Sequence, residues 1–196
     1  MLKRILDIVF SLIGILLLLP FMLIIALIIN FESKGGFFYF QKRVGKNNID
    51  FKLIKFRTMY VDAEKKGLLT VGSNDIRVTR VGKILRKLKL DELPQLFNIL
   101  IGDMSIVGPR PEVRKYVSLY TSEQKKVLSV RPGLTDYASI EYINENEILA
   151  KSTEPEKAYI EQVMPHKLEL NLKYINQQSF FIDMKIIFKT IFKIFS

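Results

Sequence analysis

The sequence contains no cysteine and a single histidine, His166. Disulfides and thiolate metal sites are therefore excluded, and a reducing compartment is expected. One histidine cannot build a multi-histidine metal centre and gives little basis for a Ser-His-Asp triad. Catalysis, if present, has to rest on carboxylates, Lys, Arg or Tyr. Acids are scarce where bases are dense. From Lys42 to Lys89 there are 14 Lys or Arg against four acids, Asp50, Asp62, Glu64 and Asp75, so this stretch carries the chain's entire net charge of +10. Such asymmetry implies an anionic partner: nucleic acid, lipid headgroups or a phosphorylated small molecule. There is no internal repeat, and 196 residues suit one domain plus an anchor.

Charge is missing altogether from Ile8 to Phe31. A straight helix of that length would run about 36 Å, enough to cross a hydrocarbon core of about 30 Å. The run exceeds a signal-peptide h-region, and Asn30-Phe31-Glu32-Ser33 has no small-residue cleavage pattern. Pro20 falls at its centre and predicts a kink or break. A kinked span and a helix–break–helix hairpin both fit. Basic residues on both flanks (Lys3 and Arg4, then Lys34, Lys42, Arg43 and Lys46) favour a cytoplasmic body. At the other end, Lys185, Lys189 and Lys193 recur every four residues beside Ile187, Phe188, Ile191, Phe192 and Phe195. That pattern predicts an amphipathic helix over 180–196, lying in the membrane interface or packed on the core.

Between these segments, Phe37–Gln41 and Phe51–Phe56 read as a β-hairpin around Gly45–Asn48. Lys83–Leu100 has helical periodicity with a break near Asp91. Val107–Pro111 and Arg131–Gly133 read as rigid proline turns, and Glu141–Leu149 and Glu154–Asn176 as helices, the latter broken near Pro155 and Pro165.

The chemistry concentrates at Asp91-Glu92. Asp91 is read as the N-cap of a helix starting at Glu92, with Pro94 in its first turn and Leu93, Leu96, Phe97 and Leu100 on one face. Both carboxylates would then sit beside open backbone N–H groups able to hold phosphate. An aspartate can act as a covalent nucleophile toward a phosphoryl group, given cations to neutralise the phosphate. Arg77, Arg80, Arg86 and Arg110 surround the pair, and Arg110, set between prolines, would present a stiff planar fork.

Several blocks in register carry a resemblance. They are Lys55-Phe56-Arg57-Thr58-Met59, Asp75–Gly82, Leu90–Leu96, Gly102-Asp103-Met104-Ser105, Gly108-Pro109-Arg110-Pro111 and Arg131-Pro132-Gly133-Leu134-Thr135. Together the chain resembles the bacterial sugar transferases, more narrowly the small monotopic phosphoglycosyl transferases. The resemblance implies transfer of a sugar-1-phosphate from a UDP-sugar to polyprenyl (undecaprenyl) phosphate with release of UMP, as the first membrane step of capsule, O-antigen or exopolysaccharide synthesis. It implies Asp91 as nucleophile and Mg²⁺ ligand, Glu92 as its assistant, and Arg57 and Arg131 beside the four arginines above as phosphate-binding cations.

It also implies a re-entrant helix hairpin broken at Pro20. The expected fold is α+β and helix-dominated: an anchor over 1–33 and a catalytic domain over 34–196 on the cytoplasmic face of the inner membrane, with a small β-hairpin and amphipathic interfacial helices. Expected partners are the UDP-sugar, polyprenyl phosphate and membrane lipid, with no nucleic acid; self-association is compatible. The rivals are a membrane-tethered basic binding module and a membrane phosphohydrolase. Asp136-Tyr137 replaces the family's usual Gly-Trp, which leaves sugar choice open.

Overall fold

The computed structural model of the protein describes residues 2–63, 72 and 75–195. Glu64 of the basic stretch, the Phe195 side chain and Ser196 lie outside the described set. The fold is helix-dominated α+β, as the sequence predicts. Its N-terminal element is one helix, α1, Leu2–Glu32. Asp7, Ser11, Ile15, Met22, Ala26 and Ile29 are its buried residues. Their spacing of three, four or seven residues puts them on one stripe. The other faces stay apolar and exposed, from Leu2 to Phe31.

The expected division at Pro20 is not there in the secondary structure: α1 is helical on both sides of Pro20 and through it. Proline removes one ladder bond and crowds the preceding turn, at a cost of about 3 kcal/mol. Ile15 and Met22, buried on either side, hold the helix to the body across that point.

Both ends of α1 are bonded to the same body. At the start, Lys3 Nζ pairs with Asp183 at 2.6 Å and Arg4 donates to the Ile99 and Leu100 carbonyls at 2.5 and 2.9 Å. Asp7 accepts from the Ser105 hydroxyl and the Ile106 N–H, each at 3.0 Å. At the far end, Glu32 accepts the Val81 N–H at 3.0 Å, and the Ser33 carbonyl accepts from Arg57 at 2.7 Å.

The predicted hairpin is present as β1, Phe38–Val44, and β2, Asp50–Phe56, antiparallel with Phe38 opposite Phe56. Asn47 and Asn48 take positive φ (56° and 63°) in its turn, which asparagine tolerates better than most residues. Helix α2, Arg80–Lys87, is capped by the Thr79 side chain accepting from Gly82 N–H. A 3₁₀ turn, Leu90–Glu92, follows, then α3, Gln95–Ile101.

A two-stranded parallel sheet joins β3, Ser105–Val107, to β4, Gly133–Thr135. Three residues per strand are too few for an alternation signal, and only the flanking proline turns are visible in sequence. A Cβ on Gly133 would lie 2.1 Å from the Gly108 nitrogen, and one on Gly108 would lie 2.6 Å from the Arg131 carbonyl oxygen. Only glycines allow the two turns to cross there.

Short helices α4 (Arg114–Val117), α5 (Tyr137–Glu141), α6 (Glu145–Ala150) and α7 (Pro155–Ala158) lead to α8, Met164–Gln177, and α9, Phe180–Phe195. The helix predicted over 141–149 starts earlier and divides, because Asp136 caps a helix at Tyr137 by accepting Ser139 N–H at 2.6 Å. Pro155 opens α7 instead of breaking a helix. A π-helical turn, Tyr159–Val163, precedes Pro165, whose missing N–H removes a ladder bond at that point.

Candidate active site

A cavity of about 950 Å³ opens where β2, α2, the 3₁₀ turn and the Pro109–Pro111 segment converge. Lys55, Arg57, Arg86, Lys89, Asp91, Glu92 and Arg110 line it. Its apolar lining includes Gly14 and Leu18 of α1 and Leu93 and Leu96 beside the acid pair.

Local rules set each side chain. Lys89 adopts φ 56°, so the chain reverses between α2 and the acid pair. The Glu92 N–H donates to Lys89 O and the Leu93 N–H to Leu90 O, both at 3.3 Å. Helix α3 starts three residues later than expected, after Pro94 at φ −63°. Asp91 is therefore not an N-cap, and the amides expected to be open for phosphate at Glu92 and Leu93 are spent on the turn's own carbonyls. Asn98 ties the helix that follows the acid pair to the hairpin. This fully buried side chain accepts from Ile54 N–H at 2.9 Å and donates to Lys52 O at 2.8 Å, fastening α3 to β2. Its only sequence signal is a polar residue inside the apolar run Leu96–Ile101.

The two acids have opposite surroundings. Glu92 receives a two-pronged bond from Arg110, Nη1 to Oε2 at 3.0 Å and Nη2 to Oε1, with Lys55 3.4 Å away. Burial alone would raise the Glu92 carboxyl, but Arg110 and then Lys55 outweigh it and hold the group far below the usual carboxylate range. Asp91 is 7% exposed and accepts no hydrogen bond from any described residue. Burial pushes its carboxyl above the ordinary value; Lys55 pulls back, and Glu92 adds to the rise. Burial also lowers Lys55, against the pull of Glu92. Adjacent acids with pKa values driven apart are a mark of divided chemical roles.

Of the six arginines predicted to bind phosphate, Arg57, Arg86 and Arg110 reach the cavity. Arg86 is held by Nε to the Thr58 hydroxyl at 2.8 Å, and Gly82 lets α2 approach, since a Cβ there would lie 2.1 Å from Thr58 O. Arg57 bonds Ser33 through Nη2, while its buried Nε and Nη1 have no partner among the described residues. Arg77, Arg80 and Arg131 do not line the cavity. Arg77 is closed on Asp75 at 2.5–3.0 Å, Arg80 is exposed on the first turn of α2, and Arg131 donates to Gly102 O at 2.8 Å. Lys55 and Lys89, with Arg43 and Lys167, also line the cavity, and sequence reasoning did not name them as site residues. Lys55 lies two residues before Arg57, the spacing that shares a strand face. Arg110 is gripped at both ends: Asp136, fully buried, accepts its backbone N–H at 3.0 Å.

Among the described residues no cluster of three or more His, Asp or Glu forms a metal cage. His166 meets the Tyr142 hydroxyl at 2.7 Å, apart from the acid pair.

Comparison with known proteins identifies the family. The chain is 40% identical to the UDP-N-acetylgalactosamine-undecaprenyl-phosphate N-acetylgalactosaminephosphotransferase of Aeromonas hydrophila, over 96% of this chain and 42% of that protein. It is 38% identical to the UDP-glucose:undecaprenyl-phosphate glucose-1-phosphate transferase of Klebsiella pneumoniae, over 97% of this chain and 39% of that protein. The chain thus spans about two fifths of the length of these relatives. A shorter relative, the exopolysaccharide production protein PSS of Rhizobium leguminosarum bv. phaseoli, is 38% identical and is matched over 93% of its length. The family model described as bacterial sugar transferase matches residues 1–196, and the chain belongs to that family.

Proposed function

We propose that the protein transfers a sugar-1-phosphate from a UDP-sugar to undecaprenyl phosphate in two displacements at Asp91. The observation that carries this reading is the Asp91 carboxylate itself. It is buried, without a hydrogen-bond partner among the described residues, and ringed by Lys55, Arg86 and Lys89, while its neighbour Glu92 has both oxygens engaged.

In the first step an Asp91 oxygen attacks the β-phosphorus of the donor. The bond from that phosphorus to the bridging oxygen breaks, and UMP leaves with the oxygen. In the second, a phosphate oxygen of the lipid attacks the same phosphorus and expels the Asp91 carboxylate, giving the lipid diphospho-sugar. The cations neutralise charge on the transferring phosphoryl group. Desolvation makes Asp91 the more basic and hence the more nucleophilic of the two acids once ionised. Glu92, held ionised by Arg110 and Lys55, keeps those cations in position instead of carrying protons.

Mg²⁺ is held in other proteins by one or two carboxylates plus substrate phosphates and water, and an unpartnered Asp91 fits that donor set. When bound it would add positive charge at the diphosphate.

A lipid acceptor accounts for the cavity's apolar lining on α1. A helix bonded to the body at both ends supports entry and exit at one membrane face, with the body on the cytoplasmic side. The mean hydropathy of α1, 3.2 over its best window, fits membrane association. Purified protein supplied with Mg²⁺ and a panel of UDP-sugars should release UMP repeatedly only when undecaprenyl phosphate is present. Sustained UMP release without the lipid would establish a phosphohydrolase instead.

A further inference from the structure

A second cavity, of about 770 Å³, lies between α8 and α9 and shares no lining residue with the acid-pair cavity. Its wall carries Lys173 on α8 and Lys185, Lys189 and Lys193 on α9, with Glu141 as the one acid among its lining residues. Lys173, Lys185 and Lys189 set three ammonium groups against one carboxylate, which makes a locus for anions. The chemistry proposed above uses none of them.

The surroundings say what kind of anion. Helix α9 presents three sectors at 100° per residue. Ile182, Asp183, Ile186 and Thr190 face the body, and Ile186 is fully buried. Phe181, Phe188 and Phe192 lie on the outer side and are 82%, 61% and 75% exposed. The lysines occupy the shoulder between. The α1 terminus is tied to this helix through Lys3 and Asp183, so the exposed apolar faces of α1 and α9 belong to neighbouring elements. An ammonium row at the edge of an aromatic face is the arrangement that meets headgroups when the aromatic side enters a bilayer.

We propose that the cleft between α8 and α9 is a headgroup site for an anionic phospholipid, its phosphate held by Lys173, Lys185 and Lys189 while the acyl chains follow the α9 aromatics. The proposal rests on the membrane association inferred above and adds lipid selectivity to it. It differs from general attraction by the basic stretch at 42–89, because it assigns the preference to one cleft.

The test uses the full chain in neutral detergent micelles doped with either phosphatidylglycerol or phosphatidylcholine, read by thermal unfolding. Phosphatidylglycerol at saturation should raise Tm by about 5 °C and phosphatidylcholine should not. In the Lys173→Gln/Lys185→Gln/Lys189→Gln variant the apparent affinity for phosphatidylglycerol should drop on the order of 100-fold, at about fivefold per lysine. UMP release in detergent should stay at the wild-type level, which shows that the variant is folded. Equal shifts with both lipids would overturn the proposal. So would a triple variant that keeps its preference while Lys46→Gln/Lys52→Gln loses it, or an equal shift with inorganic phosphate at the same concentration. Wild-type protein that failed to sediment with neutral vesicles would count against the membrane reading itself, a separate outcome.

Discussion

Asp91 and Glu92 adjoin in sequence, yet one is gripped and the other is not. That difference yields the residue-scale expectations. Asp91→Asn should remove turnover, by at least about 10³-fold if covalent attack is lost, while the variant still partitions into membranes. It should also be more stable than wild type at neutral pH. A buried carboxyl with a raised pKa binds protons more tightly folded than unfolded. Stability therefore falls as pH climbs from the unfolded value through the folded one, and Asn removes that cost. Thermal unfolding at pH 7 and pH 4 would check this: the gain from Asn should be larger at pH 7. Glu92 runs the other way. Its folded pKa is depressed, so its contribution is present above the unfolded value and is lost only as pH falls well below the carboxylate range.

Lys55 is the strongest of the charges pulling the Asp91 pKa down. Lys55→Met should accordingly move the acid limb of the kcat/KM profile to higher pH. An unchanged limb would mean that Asp91 ionisation does not govern it. Arg110→Lys, which cannot bind Glu92 with two prongs, should lower kcat by about tenfold or more, with donor KM affected less.

At the scale of elements, the site depends on two glycine-mediated approaches. Gly133→Ala would put a methyl group 2.1 Å from the Gly108 nitrogen. Backbone cannot yield as a flexible side chain can. A loss of about 2–4 kcal/mol is expected, seen as a lowered denaturation midpoint together with reduced turnover, because the same crossing carries Arg110. A variant of wild-type stability would show that the crossing opens freely.

The same approaches explain what was legible in the sequence. The acid pair stood out because carboxylates in a cationic stretch are anomalous, and the hairpin because aromatic-rich runs flank the turn residues Gly45–Asn48. Only some of the predicted arginines line the cavity, because closeness in sequence is not closeness on a helix. Arg80 and Arg86 sit six residues apart, about 240° around α2, so only one can face the cavity. Asp91 as a cap failed for a related reason: Pro94 offered a second place to start the helix, and the turn consumed the amides first. Lys55 was hidden because a lysine on a strand ordinarily reads as a solvent-facing residue. Asn98 was hidden because its partners, Lys52 and Ile54, are more than 40 residues away.

For the whole molecule, what matters is that α1 is fastened to one body at both ends. The absence of cysteine makes this directly testable in cells. Leu2→Cys and Lys34→Cys should both resist a membrane-impermeant thiol reagent in intact cells and both react after lysis; labelling of position 2 from outside would mean that the helix crosses. The arrangement also gives the fold a functional sense. In the reaction proposed, a soluble nucleotide-sugar and a membrane-held acceptor would meet at Asp91, since cations of β2 and α2 and apolar residues of α1 line one cavity.

The most direct measurement is intact-protein mass spectrometry after incubation with the UDP-sugar and Mg²⁺, with no lipid acceptor present. The chain should gain the mass of one sugar phosphate and release one equivalent of UMP. The added mass should map to the peptide carrying Asp91 and disappear when undecaprenyl phosphate is supplied. Full turnover with the acceptor, but no adduct and no UMP burst without it, would mean that the lipid phosphate attacks the donor directly and that Asp91 is not the nucleophile.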